Sequence, residues 1–325
     1  MTLRIGLLGA SRIAPRAIIT PARRRGDVAI TAVAARDIDK AKAFATEHHI
    51  AALADSYEAL VARDDVDLVY CALPPAAHLQ PCLAALANGK ALLVEKPFAM
   101  NRDDAIRIAQ AATRSGRPAM EAFHYRFHSQ FLRAQQLLRN GAIGAIRQAD
   151  GLFEAKIVQG PGELRWTPAL GGGGVMDLGC YVLHALRTLI GAEPTLRNAH
   201  AELLYGVDAS MDARLAFPGE VEARLRCSML GPRRDHIVLK GDAGELRITG
   251  FVSPQNGGRL TLTSVRDSFE EAASGPPSYD AQLAHVVKVM AGEVEPLTGG
   301  ADAVANMAVI DAMRASVGLE ANIAA

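Results

Sequence analysis

Leu3-Arg4-Ile5-Gly6-Leu7-Leu8-Gly9-Ala10-Ser11-Arg12-Ile13-Ala14 is an apolar run of strand length that stops at a glycine and passes into an amphipathic stretch, Arg12–Thr20. Gly9, Ser11 and Ala14 have the spacing of a G-x-G-x-x-G/A turn. In that turn the first glycine allows the tight bend, the second lets a pyrophosphate approach the backbone, and the third packs helix on strand. Ser11 departs from glycine, although a small hydroxyl still admits a phosphate and can bond it. The helix N-terminus then offers amides and a partial positive charge to an anion. Gly9, Ala10, Ser11, Arg12 and Ile13 are therefore expected to hold a dinucleotide. The bland alternative is an ordinary βα turn, and the strand–turn–helix context counts against it.

Working outward, apolar runs at Leu3–Leu8, Ile30–Ala35, Leu68–Leu73, Ala91–Val94 and Ala119–Glu121 alternate with helical stretches near Asp39–Glu47, Ala76–Leu86 and Arg102–Thr113. This predicts an α/β domain over residues 1–122, a doubly wound parallel sheet with helices on both faces. The second run ends Ala34-Ala35-Arg36-Asp37. A site for NAD wants a carboxylate at the strand tip, which Ala35 does not supply, whereas the Arg36 guanidinium suits the 2′-phosphate of NADP. Asp37 either caps the next helix or reaches the ribose and keeps NAD possible.

From residue 123 to 325 the pattern changes. Met211, Ala213, Leu215 and Phe217, then Val221, Ala223, Leu225, Cys227 and Met229, alternate with polar residues. Period two over that length predicts an antiparallel, half-buried strand pair. A three-residue loop, Pro218 to Glu220, aligns Phe217 with Val221, Met211 with Cys227 and Asp212 with Arg226, with Gly219 or Glu220 at positive φ. A second hairpin is expected around Gly241–Gly244, and helices near Ala281–Met290 and Ala301–Ser316. The second domain reads as α+β, with helices on one face of a large, mainly antiparallel open sheet.

Composition narrows the function classes. The 325 residues carry a formal net charge of zero with 22% charged and 50% apolar residues, which fits a globular enzyme and gives nucleic acid no basic surface. Arg23-Arg24-Arg25 reads as a solvated helix end. No uninterrupted apolar run of about 18 residues predicts a membrane span, and the glycine-broken start does not read as a signal peptide. Cys71, Cys82, Cys180 and Cys227 lack metal-ligand spacing and suggest reduced thiols in the cytoplasm. His124 and His128 are spaced like a metal pair, but no third ligand follows, so no metal is expected.

Ala91–Val94 ends in Glu95-Lys96-Pro97, at the strand end where doubly wound sheets bind ligands. Gly171 to Gly174 precede a helix carrying Asp177, Tyr181 and His184 at i, i+4 and i+7, on one face. Read alone, that helix packs its aromatic and histidine inward while Asp177 favours its N-terminus. Together, the Glu-Lys-Pro motif, the N-terminal fingerprint and Asp177-x-Gly179-x-Tyr181 look like the Gfo/Idh/MocA oxidoreductases over essentially the whole chain. Ala34-Ala35-Arg36-Asp37 and Met120-Glu121-Ala122 most resemble the dimeric dihydrodiol dehydrogenase and glucose–fructose oxidoreductase branch.

The resemblance implies a cis Lys96-Pro97 peptide and hydride transfer between NADP and a sugar, polyol or dihydrodiol, or the corresponding ketone. It implies Tyr181 as the proton-transferring residue, Lys96 as its cationic assistant and Asp177 as a positioning group. A free tyrosine titrates near ~10, so basicity at neutral pH needs such a cation nearby. It also implies cofactor contacts from Leu73, Pro74, His78 and Arg126 and a substrate contact from Arg165; Glu95 is expected on the cofactor side, and Trp166 and His184 as lining of the substrate pocket. Each has a plainer reading: a solvated strand end for Glu95, surface ion pairs for the arginines, burial for Trp166 and His184. A non-enzymatic dinucleotide sensor and an NAD-dependent glycosidase are the competing functions. The charged sheet face with Asp212, Arg214, Glu222, Arg224 and Arg226 meets either water or a twofold-related copy in a homodimer.

Overall fold

The computed structural model describes residues 2–160 and 162–319. Met1, Pro161 and residues 320–325, which fall within the expected domain limits, lie outside the described residues. The chain forms two compact units, one of residues 2–123 with Tyr279–Val304, the other of His124–Ser278 with residues 305–319. The chain passes from the first unit to the second after Phe123, and Tyr279–Val304 returns to the first. The cause of that return is burial: Leu283, Val286 and Val289 share a core with Leu3, Ile5, Leu7 and Leu93.

In the first unit, strands β1 (Leu3–Leu8), β2 (Val28–Ala34), β3 (Ala52–Leu53), β4 (Leu68–Cys71), β5 (Ala91–Val94) and β6 (Ala119–Glu121) form a sheet in the order β3-β2-β1-β4-β5-β6. Every pairing is parallel. The order reverses between β1 and β4, which makes the carboxyl ends of those strands the ligand crevice of such a sheet. The helices are α1 (Thr20–Arg23), α2 (Ile38–Glu47), α3 (Tyr57–Val61), α4 (Leu79–Ala87), α5 (Arg102–Ser115) and, late in the chain, α8 (Ser278–Met290). The β4 run stops two residues before the expected Leu73, because Pro74 leads into a 3₁₀ turn at Pro75–Ala77.

The second unit holds β7 (Ile146–Glu154), β8 (Thr195–Leu204), β9 (Val207–Phe217), β10 (Val221–Ser228), β11 (Arg234–Gly241), β12 (Gly244–Thr249), β13 (Arg259–Ser264) and β14 (Ser268–Ala272). They form one sheet in the order β14-β13-β12-β11-β7-β10-β9-β8, antiparallel except where β10 runs parallel to β7. The β9–β10 register is the expected one, Phe217 opposite Val221, Met211 opposite Cys227 and Asp212 opposite Arg226. Both Gly219 and Glu220 take positive φ, at 77° and 61°. On the polar face the ion pairs run diagonally: Arg224 Nε holds Asp212 at 2.9 Å, while Arg226 holds Asp150 on β7 at 2.6 Å. Helices α6 (Ser129–Arg139) and α7 (Cys180–Ile190) pack on the sheet, and α9 (Ala301–Ser316) lies mostly in this unit. The stretch Pro168–Ile190 is long and apolar enough to cross a bilayer by composition, but 83% of its apolar window is buried inside the protein.

Candidate active site

At the end of β1, Gly9 sits at φ +99°, and a Cβ there would lie 3.1 Å from Leu73 Cδ2 and 3.2 Å from the Ala72 carbonyl oxygen. No L side chain enters that backbone region at low cost. Glycine is therefore required here by the positive φ and by the close approach of the residues after β4, the part that the first glycine of a dinucleotide turn plays. Ser11 Oγ accepts from Ala14 N at 3.3 Å, so the hydroxyl that replaces the second glycine closes the turn. Ala10, Ser11 and Ile13 are half-buried and Arg12 is exposed. The helical run after the turn opens with a π-helical segment, Pro15–Ile19.

At the tip of β2, Arg36 is exposed. Asp37 is the N-cap of α2, its Oδ1 accepting from Asp39 N and Lys40 N at 3.1 Å each. Those amides, the Lys40 amide first, hold its carboxyl below the usual range. Of the two readings left open for Asp37, the cap is the one formed.

Past β5 the Lys96-Pro97 peptide is cis, as the resemblance implies. Tyr70 donates to Glu95 Oε1 at 2.5 Å. Burial pushes the Glu95 carboxyl up, opposed by the Tyr70 hydroxyl and then the Lys96 charge. Tyr279 of the same unit is pushed up to about 12, by burial and then by Glu95, and Arg16 lies over its ring at 6.0 Å. Glu95 thus sits among hydroxyls and cations, not as a solvated strand end.

Two residues beyond Lys96, both backbone groups of Phe98 are held by side chains. Glu121 Oε1 accepts from Phe98 N at 2.9 Å, and His78 Nδ1 meets Phe98 O at 3.1 Å. The other ring nitrogen of His78 meets Leu73 O at 2.8 Å, and the ring is wholly buried. Burial lowers its pKa. His78 therefore ties the Leu73-Pro74 loop to the Lys96 segment. Glu121 was singled out only for resemblance, and its clamp on Phe98 has no local sequence signal.

In the second unit, a π-helical turn at Val175–Gly179 runs into α7. Asp177, on the turn, keeps 21% of its side chain exposed and lies 3.9 Å from Arg165 Nη1. Arg165 is anchored by Glu163, Nε to Oε1 at 2.7 Å and Nη2 to Oε2 at 2.9 Å. That bond raises the arginine's pKa, so a fixed cation faces Asp177. Tyr181 is 6% exposed and caged by the rings of Phe153, Tyr125 and His124 at 5.7, 6.0 and 6.0 Å.

His184 lies in the core. It is 1% exposed, and the Tyr125 hydroxyl meets its Nδ1 at 2.5 Å. The helix turns it into the core, where it orients Tyr125 beside Tyr181. Trp166 is also buried, donating to Ile157 O at 3.0 Å. Arg126 spans to Gln135 Oε1 at 2.8 Å and lies over the Phe131 ring. Tyr125, Phe153 and Glu163 support the site without any sequence motif to mark them.

Residues 3–123 match the family described as an oxidoreductase family with an NAD-binding Rossmann fold, and residues 131–247 match the GFO/IDH/MocA C-terminal domain. The chain is 33% identical to the dTDP-3,4-didehydro-2,6-dideoxy-alpha-D-glucose 3-reductase of Streptomyces antibioticus, over 88% of this chain and 87% of that one. It is 30% identical to the trans-1,2-dihydrobenzene-1,2-diol dehydrogenase of Mus musculus, over 85% and 82% of the two chains. A 3-ketoreductase from Actinomadura kijaniata, solved in complex with NADP and TDP-benzene, has the same fold, with a TM-score of 0.89, 25% identity and 98% of each chain covered.

Proposed function

The chain belongs to the Gfo/Idh/MocA family of oxidoreductases, and we propose that it is an NADP-dependent enzyme acting on a secondary alcohol or ketone of a sugar, polyol or dihydrodiol. Lys96 follows the end of β5, and Asp177 and Tyr181 stand on the π-helical turn and α7; the presence of all three carries the reading. A protein that only sensed dinucleotide would have no use for a buried tyrosine beside a positioned carboxylate. NADP is favoured over NAD by Arg36 at the β2 tip and by the commitment of Asp37 to its helix cap. That the similar 3-ketoreductase was solved with NADP supports this choice.

The bound cofactor would supply or accept the hydride. Gly9 to Ile13 would hold its phosphates and Arg36 the 2′-phosphate, with Leu73, Pro74 and Glu95 along the crevice. The phenolic oxygen of Tyr181 gives a proton to the substrate oxygen during reduction and removes it during oxidation. The Lys96 ammonium favours the phenolate and hydrogen-bonds the same substrate oxygen. Asp177, held by Arg165, orients the substrate hydroxyl. Four buried, free cysteines support a cytoplasmic setting.

We further infer a homodimer through the polar face of the second sheet. An open groove of about 960 Å³ on that face is lined by Arg197, Arg214, Glu222 and Arg224, charges of both signs that are self-complementary about a twofold axis. The function is tested by following NADPH oxidation with keto-sugars and NADP reduction with sugars and diols. Turnover with a member of this panel supports the reading, and inertness toward the whole panel with NADP bound would favour a sensor.

A further inference from the structure

The glycine run Gly171 to Gly174 has so far only preceded the helix that carries Asp177 and Tyr181. In the structure it is folded around one carboxylate. Asp208, at the start of β9, is wholly buried. Its Oδ2 accepts from Val175 N at 2.6 Å, on the first residue of the π-helical turn. A Cβ on Gly173 would fall 2.3 Å from Asp208 Oδ1, and Gly173 holds φ +127°. A Cβ on Gly174 would meet Asp208 O at 3.1 Å and Oδ2 at 3.3 Å. Two glycines are therefore required by the closeness of Asp208 to the chain.

The same run braces the neighbouring loop. Gly173 N donates to Arg165 O at 3.0 Å, and a Cβ on Gly172 would lie 2.8 Å from that oxygen. Arg165 in turn faces Asp177. A carboxylate on a sheet strand thus caps the first amides of the helix, where orphan N–H groups and the helix dipole both favour an anion. Through the glycines it also sets the height of the Arg165 loop.

We propose that Asp208 is a positioning residue for the reaction, fixing the rotation and advance of the helix that presents Asp177 and Tyr181. The inference rests on the assignment of Tyr181 to proton transfer. Asp208 acts through the backbone of Val175. Burial pushes its carboxyl up to about 7, against the Val175 and Gly174 amides and Arg314. Among the described residues, Arg314 on α9 and the Cys227 thiol on β10 are ionisable groups that face it. The anion accepts amide hydrogen bonds more strongly than the acid does. The cap therefore weakens as pH falls through the region around 7.

The test compares Asp208→Ala, Asp208→Asn and Gly173→Ala with the wild type. Readouts are NADPH affinity, kcat, KM, the pH profile of kcat, and amide exchange across 172–181. Misplacement of a reacting group by about 1 Å can cost roughly a hundredfold in rate. Asp208→Ala and Gly173→Ala should lower kcat by about ten- to a hundredfold, with KM and NADPH affinity within about twofold. Exchange should quicken across 172–181 while the rest of the second sheet stays protected. Asp208→Asn, which keeps an acceptor, should recover most of kcat and lose the rise in kcat through neutral pH. Unchanged kcat and exchange in Asp208→Ala would overturn the proposal. So would acceleration of exchange throughout the second unit, which would make Asp208 a general stability residue. If the wild type turns over no substrate, the functional reading fails, while the exchange comparison still decides whether Asp208 holds the helix.

Discussion

Arg36→Ala separates the two cofactors. The guanidinium stands exposed at the end of β2, and the adjoining carboxylate, Asp37, already holds two amides of α2 at 3.1 Å, with Lys40 Nζ at 3.6 Å. Removing Arg36 therefore leaves Asp37 in its cap, and the loss should fall on the proposed 2′-phosphate contact. A hydrogen bond to a charged group contributes about 1.5–3 kcal/mol. At 1.4 kcal/mol per tenfold, NADPH binding should weaken by about ten- to a hundredfold. Solvent exposure and screening place the effect toward the lower end as salt rises. NADH binding should stay within about twofold of the wild type. Quenching of intrinsic fluorescence, titrated with each cofactor at low and high salt, gives the two affinities. Equal losses for NADPH and NADH, or a salt-independent loss, would show that Arg36 does not read the phosphate.

Glu121→Ala should destabilise the protein by about 1–3 kcal/mol, because it strips the acceptor from the buried Phe98 N–H, whereas Glu121→Gln keeps an acceptor and should be milder. Urea unfolding of the two variants checks the order, and equal losses would remove the clamp as the cause. Light scattering over a dilution series should give a dimer mass at micromolar concentration, and a monomer mass at moderate salt would refute the twofold contact. Reversing Arg224 and Arg226 to glutamate should shift that mass to the monomer, with circular dichroism confirming that the sheet persists.

What could be read in the sequence is what depends on local pattern. β1, β5, β6 and the β9–β10 register follow from apolar runs, period two and a loop that needs positive φ. The strand β7 escaped because Gly151 interrupts its alternation, the space of a side chain there being filled by Val182 of α7. The edge strand β8 is exposed or half-exposed throughout, and its apolar residues Leu196, Ala199, Ala201, Leu203 and Leu204 keep no steady alternation, so neither face carries a signal. The apolar face of α8 announces burial but not which core receives it. The supports of the candidate site lie furthest from view: Glu121 to Phe98, Tyr125 to His184 and Asp208 to Val175 join positions 23, 59 and 33 residues apart. Nothing in the types of those residues marks them for each other. For His184 the plainer reading, burial, is the one the structure shows, after a π-helical start that spacing alone does not reveal.

Single-turnover hydride transfer in Tyr181→Phe, followed by stopped-flow absorbance of NADPH, tests the chemistry most directly. The variant keeps the ring and its cage of Phe153, Tyr125 and His124 while losing only the phenolic oxygen. Loss of general acid–base catalysis should slow the step by about 10²–10⁴-fold, with NADPH affinity nearly intact. Lys96→Ala should be at least as severe. A Tyr181→Phe enzyme that transfers hydride at close to the wild-type rate would contradict the assignment of the proton to Tyr181.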